Sequence, residues 1–219
     1  MTALRDLTTL RVGGPVAQLI ETTTEADFIA AVRSADRAGQ PVLVLGGGSN
    51  ILAADEPFDG VVVRDRRQGL YIADDACAGV TVTVPAGHIW DDVVARAVTE
   101  GWVGVEALSG IPGSTGATPV QNVGAYGQEV SETLTAVRVW DRKENRVRTL
   151  PRPRLAFGYR ASKLKRTLSQ GWGPTPRFVV LDVTFSFRHG ELSSPIRFGE
   201  LARTLDVACE AHETGDGPQ

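Results

Sequence analysis

Cysteine is nearly missing: the 219 residues hold only Cys77 and Cys209, far apart and with no C-x-x-C spacing. That excludes a disulfide framework and a cysteine-based zinc site. Histidine is as scarce. His88, His189 and His212 share no ligand spacing. Each is expected in a surface or hydrogen-bonded structural role, and no metal is expected. No apolar run reaches membrane-spanning length, and Met1 to Thr9 has no apolar signal core. The expected setting is cytoplasmic. A dominant charge is missing too: the net charge is −3 with 22% charged residues, so nothing marks a nucleic-acid or membrane binder. There is no internal repeat and no low-complexity tract. What remains is ordinary globular composition, 42% hydrophobic, long enough for one large domain or two small ones.

Against this plain background one stretch stands out, Gly46-Gly47-Gly48-Ser49-Asn50 after the apolar run Val42–Leu45. Consecutive glycines remove every Cβ, so the backbone can reach φ > 0 and approach a ligand closely. Successive N–H groups in such a turn form an anion-binding concavity. Ser49 and Asn50 add side-chain donors. No Gly-Lys-Ser/Thr follows, so it is not a P-loop, and the Rossmann G-x-G-x-x-G spacing is absent. Alone, the pattern suits a bare hairpin turn equally well. A second segment, Gly110 to Glu129, is rich in small residues and turn formers. It is too long for an ordinary connection, and Ile111, Val120, Val123 and Tyr126 argue against disorder. It reads as an ordered wall whose backbone meets a ligand.

The remaining chain alternates strands and helices. Val16–Glu21 reads as a strand. Thr24 suits the N-cap of a helix from Glu25 to Ala38, with Phe28, Val32 and Ala35 on one face and Gly39 to end it. Val61–Val63 and Gly79–Val84 read as strands. A helix from Ile89 to Glu100 is expected to turn Trp90, Val94, Ala97 and Val98 inward, with Gly101 as its stop. Leu134–Trp140 and Arg146–Leu150 form a hairpin pattern, and Phe178–Phe187 is the clearest strand. Phe157 to Lys165 is aromatic and basic together, which suits a solvated turn as well as a site. From Ala208 onward the chain is polar and patternless, and fraying is expected there. The sum is a mixed α+β chain, not strict βαβ winding.

Several of these pieces, in this order, resemble the UDP-N-acetylenolpyruvoylglucosamine reductase family. They are Leu10–Pro15, Val44–Asn50, Gly110–Gly113, Pro119–Glu129 and Phe157-Gly158-Tyr159-Arg160-x-Ser162. The resemblance implies a two-lobed α+β module that binds FAD non-covalently, of the PCMH/vanillyl-alcohol-oxidase type. Residues 1–84 would form the first lobe and 85–187 the second. The cofactor set would be Gly46, Gly47, Gly48, Ser49 and Asn50 at the pyrophosphate. Gly110, Ile111, Pro112, Gly113, Ser114, Gly116, Ala117, Gln121, Asn122, Gly124, Ala125, Tyr126 and Gly127 would wall the flavin. Tyr159 and Arg160 match the family's active-site pair. NADPH would be the electron donor, an enolpyruvyl sugar nucleotide the substrate, and peptidoglycan precursor synthesis the setting. Ser169 to Pro176 looks like the insertion of one family subtype.

The resemblance breaks in two places. Ala117-Thr118 stands where the family keeps smaller residues near the flavin. Residues 188–219 include a lead-in, Ile196 to Leu201, to a C-terminal domain that the family has and this chain is expected to lack. That domain supplies a proton-donating serine and a glutamate. Losing a positioned general acid costs about 10²–10⁴ in rate. A fragment, a separate partner chain supplying the domain, a shortened paralogue acting as an oxidase or cyclase on another small molecule, and a non-enzymatic FAD-binding module all fit these motifs.

Overall fold

A computed structural model describes residues 2–75 and 79–207; Cys77, Cys209, His212 and the stretch expected to fray lie outside them. The first sheet holds three parallel strands in the order β1-β3-β2: β1 (Val16–Thr22), β2 (Val42–Val44) and β3 (Phe58–Asp65). Helix α1 (Glu25–Arg37) connects β1 to β2. Thr24 caps it by accepting the Asp27 N–H at 3.1 Å, and Gly39, at φ +66°, lets the chain leave it. So this lobe contains a true parallel crossover, inside a chain that is α+β as a whole.

The second sheet is antiparallel, in the order β10-β9-β11-β5-β4 with β6 also on β11. Its strands are β4 (Tyr71–Asp75), β5 (Gly79–Pro85), β6 (Trp102–Val103), β9 (Leu134–Asp141), β10 (Arg146–Pro151) and β11 (Phe178–His189). The short pair β7 (Gly124–Ala125) and β8 (Gln128–Glu129) stands apart. The expected lobe boundary at Val84 therefore needs correction. Both β4 and β5 belong to the second sheet, because β5 pairs Val80 to Pro85 with Phe187 to Asp182 of β11.

Helix α2 (Trp90–Thr99) covers one face of this sheet with Trp90, Val93, Val94 and Ala97. Val98, expected inward, is 55% exposed. The buried stripe turns toward Val93, on the same face as Trp90 and Ala97 at i+3 and i+4. Short helices α3 (Arg152–Leu155) and α4 (Lys163–Arg166) follow β10, and α5 (Gly199–Leu205) follows β11.

Both faces of β11 are buried. Val180, Val183, Phe185 and Phe187 join the core under α2, while Val179 and Leu181 face the first lobe. There they meet Phe28, Val32 and Ala35 of α1, so α1 is packed between the two sheets. A charged cluster reinforces this junction. Arg67 bonds Asp65 and Asp182, Arg138 bonds Glu25 and Asp182, and Arg67 also reaches Glu25. Burial pushes the Asp182 carboxyl above its ordinary range, against the pull of Arg67 and Arg138. Among the described residues no helix is long and apolar enough to cross a membrane.

Candidate functional site

A cavity of about 650 Å³ opens between the lobes, within the usual range for a cofactor site. Gly46 to Asn50 form one wall, and Ile111 to Ser114 meet them from the other lobe. Glycine is required at two positions of this turn, one against the facing segment and one against the chain near Leu7. A Cβ on Gly47 would lie 2.8 Å from Gly113 Cα, and one on Gly48, at φ +70°, would lie 2.1 Å from Leu7 O. Two side-chain bonds tie the segments: Ser49 Oγ donates to Pro112 O at 3.0 Å, and Asn50 Nδ2 to Gln121 Oε1 at 3.0 Å.

The backbone amides do the opposite. Among the described residues no acceptor meets the N–H groups of Gly46, Gly47, Gly48, Ser49 and Asn50, nor those of Gly113 and Ser114. Backbone donors without a protein partner need an acceptor from solvent or ligand. A concave array of them suits an anion such as a pyrophosphate. The residues present thus fit a dinucleotide cofactor.

The adjoining wall is a turn at Thr115–Ala117. Gly116 N donates to Ala86 O at 2.9 Å, and a Cβ on Gly116 would lie 2.5 Å from Ala86 Cβ. Thr115 N donates to His88 O at 2.8 Å. The His88 ring is buried behind this wall, where Nδ1 accepts the Gly69 N–H at 3.3 Å. Burial lowers its pKa, with Asp92 opposing. This is the structural role expected for it. Thr118 is buried and donates to Thr115 O at 2.8 Å, so it turns away from the cavity that Ala117 lines.

The far end carries a tight turn, Gly158 to Ala161, closed by Gly158 N to Ala161 O at 3.1 Å and Ala161 N to Gly158 O at 3.0 Å. Arg160 sits at its tip with φ +47° and lines the cavity beside Lys165. Asn122 also has positive φ, +50°. Its Nδ2 donates to Glu129 Oε2 at 2.6 Å and to Gly158 O at 3.3 Å, and its Oδ1 accepts the Ser131 N–H at 3.2 Å. Two cations, and amides without a partner among the described residues, at one cavity with few acidic groups suit an anionic ligand.

Most of the expected set lines this cavity: Gly46 to Asn50, Ile111 to Ser114, Gly116, Ala117, Gln121, Asn122, Gly124, Ala125 and Arg160. Gly110, Tyr126, Gly127 and Tyr159 do not. Gly110 N is held by Asp91 Oδ1 at 2.7 Å. Tyr126 packs edge-on against Phe198, and Gly127 lies beneath Arg197. Tyr159 is 83% exposed, with the Arg160 guanidinium 5.7 Å from its ring centre. Sequence reasoning missed Ala86, Gly87 and the arm formed by Pro174, Thr175 and Pro176. Thr175 Oγ1 accepts the Val44 N–H at 2.7 Å, fixing that arm to the strand before the glycine turn. The proline-flanked threonine at the end of the expected insertion was the available signal.

Residues 16–150 match a family model described as an FAD binding domain, and the chain belongs to that family. Within it, the chain is 50% identical over 93% of its length to the UDP-N-acetylenolpyruvoylglucosamine reductase of Cutibacterium acnes, covering 52% of that protein. The chain spans about half the length of the curated relatives it matches. The crystal structure of UDP-N-acetylenolpyruvylglucosamine reductase from Thermus caldophilus superposes with TM-score 0.66 at 27% identity, covering 99% of this chain and 74% of that one. The fold is shared more widely. 6-Hydroxy-D-nicotine oxidase from Arthrobacter nicotinovorans matches with TM-score 0.57 at 17% identity, over 85% of this chain and 39% of the oxidase. The resemblance read from the motifs and the expected FAD-binding fold are both borne out.

Proposed function

We propose that this chain is the FAD-binding part of an FAD-dependent reductase acting on an enolpyruvyl sugar nucleotide, with NADPH as electron donor, in peptidoglycan precursor synthesis. The carrying observation is the facing pair of glycine-rich segments with unpaired amides, set beside Arg160 in one cavity. Bound FAD supplies hydride chemistry between a nicotinamide and a carbon–carbon double bond. The chain's own residues do the rest. The amides of Gly46 to Asn50, Gly113 and Ser114 hold the pyrophosphate. Gly116, Ala117 and Gln121 wall the ring system.

Arg160 faces the substrate end. Adding hydride to the β carbon of an enolpyruvyl group places negative charge on the adjoining carboxylate. A fixed guanidinium binds that carboxylate and stabilises the charge. Lys165 adds a second positive charge to the same wall. The substrate is thus a small anionic molecule, and the setting that fits such a precursor is the cytoplasm.

The test uses the purified chain loaded with FAD under anaerobic conditions. Adding NADPH is expected to bleach the flavin absorbance, and adding UDP-N-acetylglucosamine enolpyruvate to restore it. Arg160→Ala is expected to slow the second step by about 10²–10³-fold. Restoration at an unchanged rate in that variant, or no bleaching with FAD bound, overturns the proposal.

A further inference from the structure

Ser162 follows the Tyr159-Arg160 turn and is wholly buried. It does not itself line the cavity, but it bonds two residues that do, Val120 and Lys165. Its hydroxyl works in both directions. Oγ donates to Val120 O at 2.5 Å and accepts the Lys165 N–H at 3.1 Å. Val120 belongs to the wall that carries Gly116, Ala117 and Gln121. One buried hydroxyl therefore joins that wall to the turn that carries Arg160.

The rest of the turn is restrained as well. Its two backbone bonds fix Gly158 against Ala161, and Lys165 Nζ donates to Arg160 O at 3.2 Å. Asn122 holds Gly158 O from the wall side. Arg160 in turn stands in the left-handed region at φ +47°, which a non-glycine residue keeps only where its surroundings determine it. Without the Ser162 to Val120 bond, the turn would be tied to the wall by the 3.3 Å Asn122 contact alone among these side-chain bonds.

We propose that Ser162 is a positioning residue for Arg160, setting the guanidinium in register with the wall of the flavin site. The inference rests on the reaction proposed above. A structural alternative is that Ser162 only caps α4. The two differ in what they affect. A cap acts on stability and lowers every activity alike. A positioning residue acts on the step that uses Arg160.

The experiment compares the FAD-loaded chain with Ser162→Ala and Ser162→Thr in anaerobic stopped-flow. For Ser162→Ala, flavin bleaching by NADPH is expected to stay within about twofold of wild type, while restoration by the enolpyruvyl substrate slows by about 10–100-fold, the scale of a misplacement near 1 Å. Ser162→Thr keeps the hydroxyl and is expected to recover most of the loss. Amide hydrogen exchange on the ligand-free chain gives a second readout. Ser162→Ala is expected to speed exchange at Gly158 and Ala161 while leaving the α2 amides unchanged. Equal slowing of both steps, or unchanged exchange at the turn, overturns the proposal. If wild type itself fails to bleach, the functional reading falls; if it bleaches without restoration, the exchange result alone decides whether Ser162 holds the turn.

Discussion

Two tight turns face one cavity and solve opposite problems. The glycine turn, Gly46 to Asn50, leaves its backbone donors without partners among the described residues and is held by side chains, through Ser49 to Pro112 and Asn50 to Gln121. The turn from Gly158 to Ser162 closes its own backbone, and Asn122, Lys165 and Ser162 bond around it. On the proposed reading, the first receives a ligand's negative charge on amides, and the second presents one side chain, Arg160, in a fixed place. Open backbone suits binding, and satisfied backbone suits positioning.

The comparison breaks most completely at Gly48. An alanine there would set Cβ 2.1 Å from Leu7 O and 2.9 Å from Thr8 Cα, at φ +70°. Backbone cannot yield as a flexible side chain can. Gly48→Ala is expected to cost about 3 kcal/mol and lower Tm by about 6–12 °C, with FAD no longer retained on gel filtration. Around the other turn the sharpest change is Asn122→Asp. Aspartate tolerates the positive φ of Asn122, so strain does not confuse the result. It removes both donors and faces Glu129 with a like charge where a 2.6 Å bond stood. The expected loss is about 1–3 kcal/mol in urea unfolding.

The two turns keep their relation only while the lobes stay joined, and Asp182 lies at that joint. Its folded-state pKa is raised, by burial first, with Arg67 and Arg138 opposing. A raised carboxyl binds more protons folded than unfolded. Its stabilising contribution is therefore full below the ordinary carboxylate value and is lost as pH rises through the raised one. Asp141 behaves in reverse. Burial pushes it up, but hydrogen bonds from Arg177 and Arg148 bring it below the ordinary range. Its contribution is present at neutral pH and lost as pH falls. So the stability gap between wild type and Asp182→Asn should narrow as pH rises from acid to neutral, while the gap to Asp141→Asn should widen. Urea midpoints across that window read both, with Asp182→Asn costing about 1 kcal/mol or less at neutral pH.

Local chemistry was legible in the sequence, and long-range pairing was not. Thr24, Gly39 and the Phe28-Val32-Ala35 stripe were readable because cap, stop and face lie within one helix. The alternation of Val80, Val82 and Val84 gave β5, but not the sheet it joins, since its partner β11 lies about a hundred residues on, with Thr83 facing Thr184 at |i−j| 101. The lobe boundary was misplaced for that reason. β4 was missed because Tyr71 and Ile72 are both exposed on an edge strand, which leaves no alternation to read. In the site, the glycines declared themselves by composition. Thr175 did not, since its bond to Val44 spans 131 residues. Ser162 was visible within a motif, but its partner Val120 was not.

The smallest expected effect tests the comparison most directly. Ser49 and Asn50 were expected to add donors for the cofactor, yet their side chains bond across to Pro112 and Gln121. If backbone amides bind and side chains only hold the turn, Ser49→Ala should matter little. Its bond to Pro112 O is exposed, so water can replace the hydroxyl, and the stability loss should stay near 0.5 kcal/mol or less, about the lower end for one hydrogen bond. FAD affinity, read by fluorescence titration of the apo chain, should fall by no more than about threefold, the equivalent of roughly 0.6 kcal/mol. A tenfold loss with Tm unchanged would mean that the hydroxyl leaves Pro112 for the ligand. The glycine turn would then bind through a side chain as well, and the division between open backbone and holding side chains would fail at the residue where it is easiest to test.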